Sequence, residues 1–205
     1  MLNIYLVRHG QDEDNEQGIL NGHRDKPLTI LGLNQAEQLA EYINIHGLSF
    51  DKVYSSPLQR AHTTAEKITQ KLNLVEPEIL AQLIERDFGI MTGRKISEIE
   101  SLCAPAILKT DTVVYFLEVE GAETFPDLII RAKKLLRFIK DNYQDGNILL
   151  VGHGDFGKMI YAAYYNLAWD EVLRSFHFGN SELILLTDNI SPDEAQIFKT
   201  PQFNN

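Results

Sequence analysis

Ile4-Tyr5-Leu6-Val7-Arg8-His9-Gly10 and Ile148-Leu149-Leu150-Val151-Gly152-His153-Gly154 repeat one local design near opposite ends of the chain. Each is a short unbroken apolar run closed by a histidine and a glycine. A run without polar alternation predicts a strand buried on both faces, as in a parallel sheet covered by helices. Strand and helix signals alternate through most of the chain, so the expected class is α/β: a mostly parallel central sheet with flanking helices, in three layers.

Working outward, residues 10–28 are polar and turn-rich, with Gly18, Gly22 and Pro27. A loop of that length in a compact fold is more often functional than idle. Thr29 is the expected N-cap of a helix whose apolar positions are Leu31, Ala36, Leu39, Ala40 and Ile43, ending by Gly47. Lys52 to Tyr54 predicts a second strand. Ser56-Pro57 follows, with Ser56 as cap and Pro57 at the first helical position of a helix running to about Leu72. Residues 79–120 form an irregular excursion with some helix near 96–103. Thr124 with Asp127 resembles a capping pair for a helix ending near Tyr143. After the 148–151 strand come a helix over about 156–166 and strands at Leu183–Leu186 and Gln196–Phe198. With no repeat, low-complexity tract or linker, 1–205 is expected to be a single domain, the 85–120 excursion covering its site.

In parallel α/β sheets ligands bind outside the carboxyl ends of the strands, so His9 and His153 are expected to face one crevice. Arg8 beside His9 disfavours a metal, because a guanidinium repels a cation and offers no lone pair. Asp12, Asp14 and Asp155 keep a metal hydrolase as a competing reading. Arginine favours an anion, its planar fork matching phosphate oxygens. Arg60, in the helix after Ser56-Pro57, reaches the same crevice from a third strand end. A free imidazole titrates near about 6.5, and neighbouring arginines lower that further, leaving a neutral ring able to attack phosphorus. Glu85, in Leu83-Ile84-Glu85-Arg86-Asp87-Phe88-Gly89, is the candidate proton donor for the leaving oxygen. Other designs are absent: no Gly-x-Ser-x-Gly elbow, no Gly-rich phosphate loop ending in Lys-Ser/Thr, no dinucleotide fingerprint.

Bulk properties narrow the partners. The 205 residues are 44% hydrophobic, with a formal net charge of −10. An acidic chain without a basic run is a poor match for nucleic acid or an anionic membrane. No apolar stretch reaches the length of a membrane span or a secretion signal. The single cysteine, Cys103, fits a reducing compartment and a packing role. The expectation is a soluble cytoplasmic protein, monomeric or homodimeric, acting on a small phosphorylated metabolite.

Leu6-Val7-Arg8-His9-Gly10-Gln11, followed by Asn15, Asn21-Gly22, Pro27-Leu28-Thr29 and Gly32, resembles the N-terminal signature of the histidine phosphatase superfamily, which includes the cofactor-dependent phosphoglycerate mutases. Ser55-Ser56-Pro57-Leu58-Gln59-Arg60-Ala61 with Thr64-Ala65 is similar to its second motif. Glu85 with Phe88-Gly89 and Gly93 resembles its acid-bearing segment, Gly121-Ala122-Glu123 the element before its long helix, and Val151-Gly152-His153-Gly154 its second histidine motif. The resemblance spans about residues 2–186. It implies a phosphoglycerate mutase-like fold, a phosphohistidine on His9, a phosphate pocket of Arg8, Arg60 and His153, and Glu85 as donor. Asn15, Asn21, Gly22 and Gly154 fall where the family contacts phosphate or substrate. Neither metal nor organic cofactor is implied.

Four departures carry information. Asp12 stands where the family has Ser or Thr, Gly152 replaces Ser or Thr, and Phe88 replaces the Tyr of phosphoglycerate mutases. Residues 95–120 lack the arginine pair that grips a second acidic group in that branch, Lys95 and Lys109 being the only cations there. Metal-independent hydrolysis of a small phosphomonoester is therefore favoured. The alternatives are a phosphoglycerate-type mutase and a non-catalytic phospho-ligand-binding module, the latter needing neither nucleophile nor acid.

Overall fold

A computed structural model describes residues 1–202; residues 203–205, the last of the expected domain, lie outside it. The strands are β1 (Leu2–Arg8), β2 (Lys52–Ser55), β3 (Glu78–Ile79), β4 (Ile107–Lys109), β5 (Val114–Phe116), β6 (Gly146–Gly152), β7 (Leu183–Leu186) and β8 (Gln196–Phe198). The helices are α1 (Glu13–Glu16), α2 (Ile30–Ile45), α3 (Gln59–Leu72), α4 (Ile99–Cys103), α5 (Phe125–Asn142), α6 (Gly154–Tyr165) and α7 (Trp169–Ser175). The main sheet has the order β3-β2-β6-β1-β7-β8. β3, β2, β6 and β1 are mutually parallel, while β7 runs antiparallel to both its neighbours. The expected mostly parallel α/β sheet is what forms.

The unbroken apolar runs have the predicted cause. Alternate residues of β1 enter opposite cores: Ile4 and Leu6 pack with α5 and α6 residues such as Leu128, Leu135 and Met159. Tyr5 and Val7 pack with Leu39 and Ile43 of α2 and Ala61 and Ile68 of α3. β6 divides the same way, Ile148 and Leu150 facing one layer and Leu149 and Val151 the other. Both faces are covered, so both must be apolar.

Helix starts follow local chemistry with one correction. Thr29 accepts a bond from Gly32 N at 3.0 Å, and Thr124 and Asp127 cap α5 reciprocally. Ser56 is not a cap: α3 begins at Gln59 after an uncapped Leu58. Ser56 Oγ instead lies 2.7 Å from His153 Nε2, so tertiary contact outcompetes the local signal. The excursion contains the helix expected near 96–103 but also a β4–β5 hairpin that its sequence did not announce. Phe88, Met91, Ile99, Cys103 and Phe116 give it a small core of its own. Three-residue strands are too short to show periodicity. α7, only seven residues long, is likewise not signalled by the sequence.

β1 is tied to α2 by a close backbone approach. A Cβ on Gly10 would overlap the carbonyl oxygen of Gly32, and one on Gly32 would overlap that of Gln11. Neither obstacle is a flexible side chain. Gly10→Ala is expected to lower stability by about 2–3 kcal/mol, as an overpacked site does. Urea denaturation would show this as a lower midpoint at unchanged slope; a midpoint equal to the parent's would mean that the backbone here yields.

Candidate active site

Parallel pairing of β1 with β6 places Val7 opposite Val151 and Arg8 opposite Gly152. The next residue of each strand is histidine, and His9 N donates to Gly152 O at 3.0 Å. The two imidazoles therefore meet edge to face, with centroids 5.2 Å apart. Ser56 reaches them from the end of β2, its own N–H bonded to Val151 O.

The hydrogen bonds of His9 define its tautomer. Nδ1 lies 2.6 Å from the Gly10 carbonyl oxygen, which can only accept, so Nδ1 carries the proton. Nε2 therefore holds the lone pair, and Arg60 Nε donates to it at 3.2 Å. Burial, then the Arg60 and Arg8 charges, pull the His9 pKa well below its ordinary value. His153 is pulled down similarly by burial, then by Arg60. Both rings are neutral at pH 7. His153 Nδ1 and Arg8 Nε are buried with no hydrogen-bond partner among the described residues.

Arg60 is completely buried and held from three sides. Nη1 donates to Arg24 O at 2.6 Å, Nη2 to Gly22 O at 2.8 Å, and Nε lies 3.2 Å from Asp12 Oδ2. Gly22 takes a positive φ of 48° to present that carbonyl, and an added Cβ would stand 3.1 Å from the Phe88 ring. Asp12, also fully buried, accepts from Asn21 Nδ2 and caps α1 through Asn15 N, each at 2.7 Å. Asn15 Oδ1 accepts from Asn180 Nδ2, which also reaches His9 O. Asn180 was missed in the sequence. It precedes β7, whose antiparallel pairing with β1 brings its start to the histidine end.

Glu85 completes the group. Oε1 accepts from Arg86 N at 2.8 Å and Phe156 N at 3.0 Å, and Oε2 from Asp155 N at 3.2 Å. His153 supplies no side-chain cap to α6, so Glu85 caps that helix from another segment. Burial, reinforced by the Asp155 charge, raises its pKa above the ordinary carboxylate range. Gly154 lets Arg8 lie against the start of α6; an added Cβ would sit 3.4 Å from the Arg8 Nε.

A cavity of about 610 Å³ opens over this group. Arg8, Asn15, Asn21, Glu85 and Gly154 line it, together with excursion residues including Phe88 and Tyr115. His9, Arg60 and His153 are not among the lining residues and are almost wholly buried. Among the described residues no group of three or more His, Cys, Asp or Glu is placed to hold a metal. Asp12, Asp14 and Asp155 are paired with Arg60, Arg24 and Arg86 respectively. Among the described residues no helix is long and apolar enough to cross a membrane.

The model of the histidine phosphatase superfamily, branch 1, matches residues 4–194. The chain belongs to the histidine phosphatase superfamily. It is 35% identical over 102 residues to a broad-specificity phosphatase of Saccharomyces cerevisiae, a match covering 49% of this chain and only 44% of that protein. It is 29% identical over 159 residues to a 2,3-bisphosphoglycerate-dependent phosphoglycerate mutase of Rhizobium etli, covering 76% of each. A solved phosphoserine phosphatase of Entamoeba histolytica, in complex with 3-phosphoglyceric acid, superposes with a TM-score of 0.73 at 25% identity, covering 90% of both chains. The phosphatases among these relatives support a phosphoric monoester hydrolase.

Within this member of the superfamily the remaining histidines divide. His46 Nδ1 bonds Tyr42 O, His62 Nδ1 meets Ser55 Oγ, and His23 Nε2 donates to Glu85 O at 2.8 Å. His23 thus braces the backbone of the candidate acid. His177 lines the cavity, as do Arg86 and Lys158. Arg86 is fully engaged: it bonds Glu123 O and Phe116 O, contacts Asp155, and lies 4.2 Å from the ring centroids of both Phe116 and Phe125. Lys95 and Lys109 are bound to Gln17 O and Glu100 at the surface.

Proposed function

We propose that the protein is a metal-independent phosphatase that hydrolyses a small phosphomonoester through a phosphohistidine on His9. The observation that carries this reading is the His9 ring: Nδ1–H is fixed by the Gly10 carbonyl, leaving the Nε2 lone pair beside Arg60 and His153. A neutral imidazole held in one tautomer is an activated nucleophile, and the surrounding donors suit the charge on the transferring group.

In the first step a bond forms between His9 Nε2 and phosphorus while the ester P–O bond breaks. Arg8, Arg60 and the unpartnered His153 Nδ1 take the equatorial oxygens, aided by the positive N-terminus of α6. Protonated Glu85 gives its proton to the leaving oxygen. In the second step water attacks phosphorus, Glu85 takes the water proton, and phosphate leaves with His9 restored. Asn15, Asn21, Gly22 and Gly154 shape the substrate entrance, Gly22 acting through the Arg60 guanidinium that it holds. The cavity volume suits a small metabolite, and the excursion forms its outer wall. Phosphate is the expected product ligand.

Trapping tests this directly. Rapid quench in alkali with a ³²P-labelled ester is expected to leave label on the protein, stable to alkali and released by acid, as the P–N bond of phosphohistidine requires. His9→Ala should carry none. Label on any other residue, or turnover abolished by EDTA, would overturn the mechanism.

Asp12 makes a separate expectation. Its buried carboxylate competes with phosphate for Arg60. Asp12→Asn keeps an acceptor for the α1 cap and removes the charge, so inorganic phosphate should inhibit at about tenfold lower concentration, the effect of about 1.4 kcal/mol of relieved repulsion. An unchanged inhibition constant would show that Arg60 already screens Asp12.

A further inference from the structure

Five residues after His153 lies a cation the phosphoryl chemistry above does not use. Lys158 follows Gly154 by four positions and so projects from the same face of α6 into the same cavity. It is 7% exposed. Its ammonium donates to Tyr115 Oη at 2.6 Å, and among the described residues this is its only hydrogen-bond partner and no carboxylate lies within ion-pair distance. Two of its three N–H donors are therefore uncommitted. Burying an ammonium this incompletely satisfied is costly unless a ligand completes it.

The neighbouring groups point the same way. Burial keeps the Tyr115 phenol protonated, its pKa pushed above the ordinary value, so the hydroxyl that accepts from Lys158 still has a proton to donate. His177 lines the same wall. Desolvation at the cavity wall, then the Lys158 and Arg8 charges, lower its pKa. Burial also draws Lys158 down to about 8, with Asp155 opposing and Arg8 adding to the fall, so it is still mostly charged at pH 7. The nearby carboxyls are occupied: Glu85 by three backbone N–H groups, Asp155 by Arg86, and Glu182 by Gly179 N and Gln196 Nε2. Arg86 and Arg8 do not substitute for Lys158, since Arg86 is consumed by the excursion and Arg8 Nη1 is bonded to Phe178 O.

We propose that Lys158 and Tyr115, flanked by His177, form a second anion subsite in the cavity that takes the carboxylate of a phosphorylated small acid. The assignment rests on the phosphatase reading for the phosphate end of the substrate. One ammonium and one phenol match a monoanion; a second phosphate, with nearly two charges, would be underneutralised beside Asp155. The arginine pair missing from residues 95–120 is thus replaced in function by a lysine from α6, outside that stretch.

A binding measurement tests the subsite without depending on turnover. Isothermal titration at pH 7 would compare 3-phosphonopropionate with propylphosphonate, which share the phosphonate but differ in the carboxylate. The parent is expected to prefer the carboxylated probe at least tenfold, Lys158→Met to erase that preference, and Tyr115→Phe to reduce it about threefold. Equal affinity for the two probes in the parent, no binding of either, or a preference retained in Lys158→Met overturns the subsite. Should Lys158→Met fail to fold by circular dichroism, Tyr115→Phe decides: an undiminished preference rejects the proposal. Hydrolysis of p-nitrophenyl phosphate by the parent is measured in parallel. Its absence with the preference intact would remove the phosphatase reading and leave the subsite standing.

Discussion

Alanine at His9 is expected to lower kcat/KM toward every phosphate ester by on the order of 10⁴–10⁶, the scale at which loss of a covalent nucleophile operates. The ring sits at a strand end, with its backbone N–H bonded to Gly152 O, a contact that alanine preserves. Folding should therefore survive, and circular dichroism with steady-state kinetics on p-nitrophenyl phosphate would separate the two effects. Arg60 loses one acceptor in the variant but keeps Arg24 O, Gly22 O and Asp12. Phosphate binding should consequently persist while turnover disappears. A His9→Ala protein retaining more than a hundredth of parental turnover would remove His9 as the nucleophile.

Glu85→Gln should act selectively. For alkyl phosphates, whose leaving oxygen needs a proton, the expected fall in kcat is about 10²–10³; for p-nitrophenyl phosphate, with its stable leaving phenolate, it is less than about tenfold. Glutamine retains an oxygen able to accept from Phe156 N, so the α6 cap is largely kept. The pH profile supplies an independent sign. Burial and Asp155 raise the Glu85 pKa, and an acid must be protonated to donate. Alkyl phosphate turnover should therefore fall as pH rises through that raised value, and the fall should vanish in Glu85→Gln. The depressed His9 pKa puts loss of the neutral nucleophile on the acid side, below about 6.5. Equal slowing of both ester classes would reduce Glu85 to a cap of α6.

The same depressed histidines affect stability. His9 and His153 must be neutral in the fold but take up protons when unfolded, so their contribution is complete above about 6.5 and declines as pH falls toward their lowered values. A double variant His9→Asn/His153→Asn should show a flatter dependence of urea midpoint on pH between about 6.5 and 5 than the parent; an identical slope would assign the acid sensitivity elsewhere.

Much of the fold and part of the site was legible in the residues because it depends on short-range rules. Continuous apolar runs mark strands covered on both faces, and Thr29 and Thr124 cap their helices from adjacent residues. Strand ends are chemically special in any parallel sheet, so two histidines following two such runs converge once β1 and β6 are neighbours. Where a polar side chain had a choice between local and distant partners, sequence alone misled. Ser56 is a plausible cap next to Pro57, yet it bonds His153 at the end of the neighbouring strand.

Sequence by itself determined that this is an α/β protein with His9, His153, Arg8 and Arg60 gathered at strand ends, and placed it near the histidine phosphatases. Only the tertiary structure decided the protonated nitrogen of His9, the pairing of Arg60 with Asp12, the capping of α6 by Glu85, and the incompletely satisfied ammonium of Lys158. The reason is physical. Periodicity and capping act over a few residues, whereas hydrogen-bond partnership and desolvation depend on which groups the fold brings together after long separation, and on how completely water is removed from them.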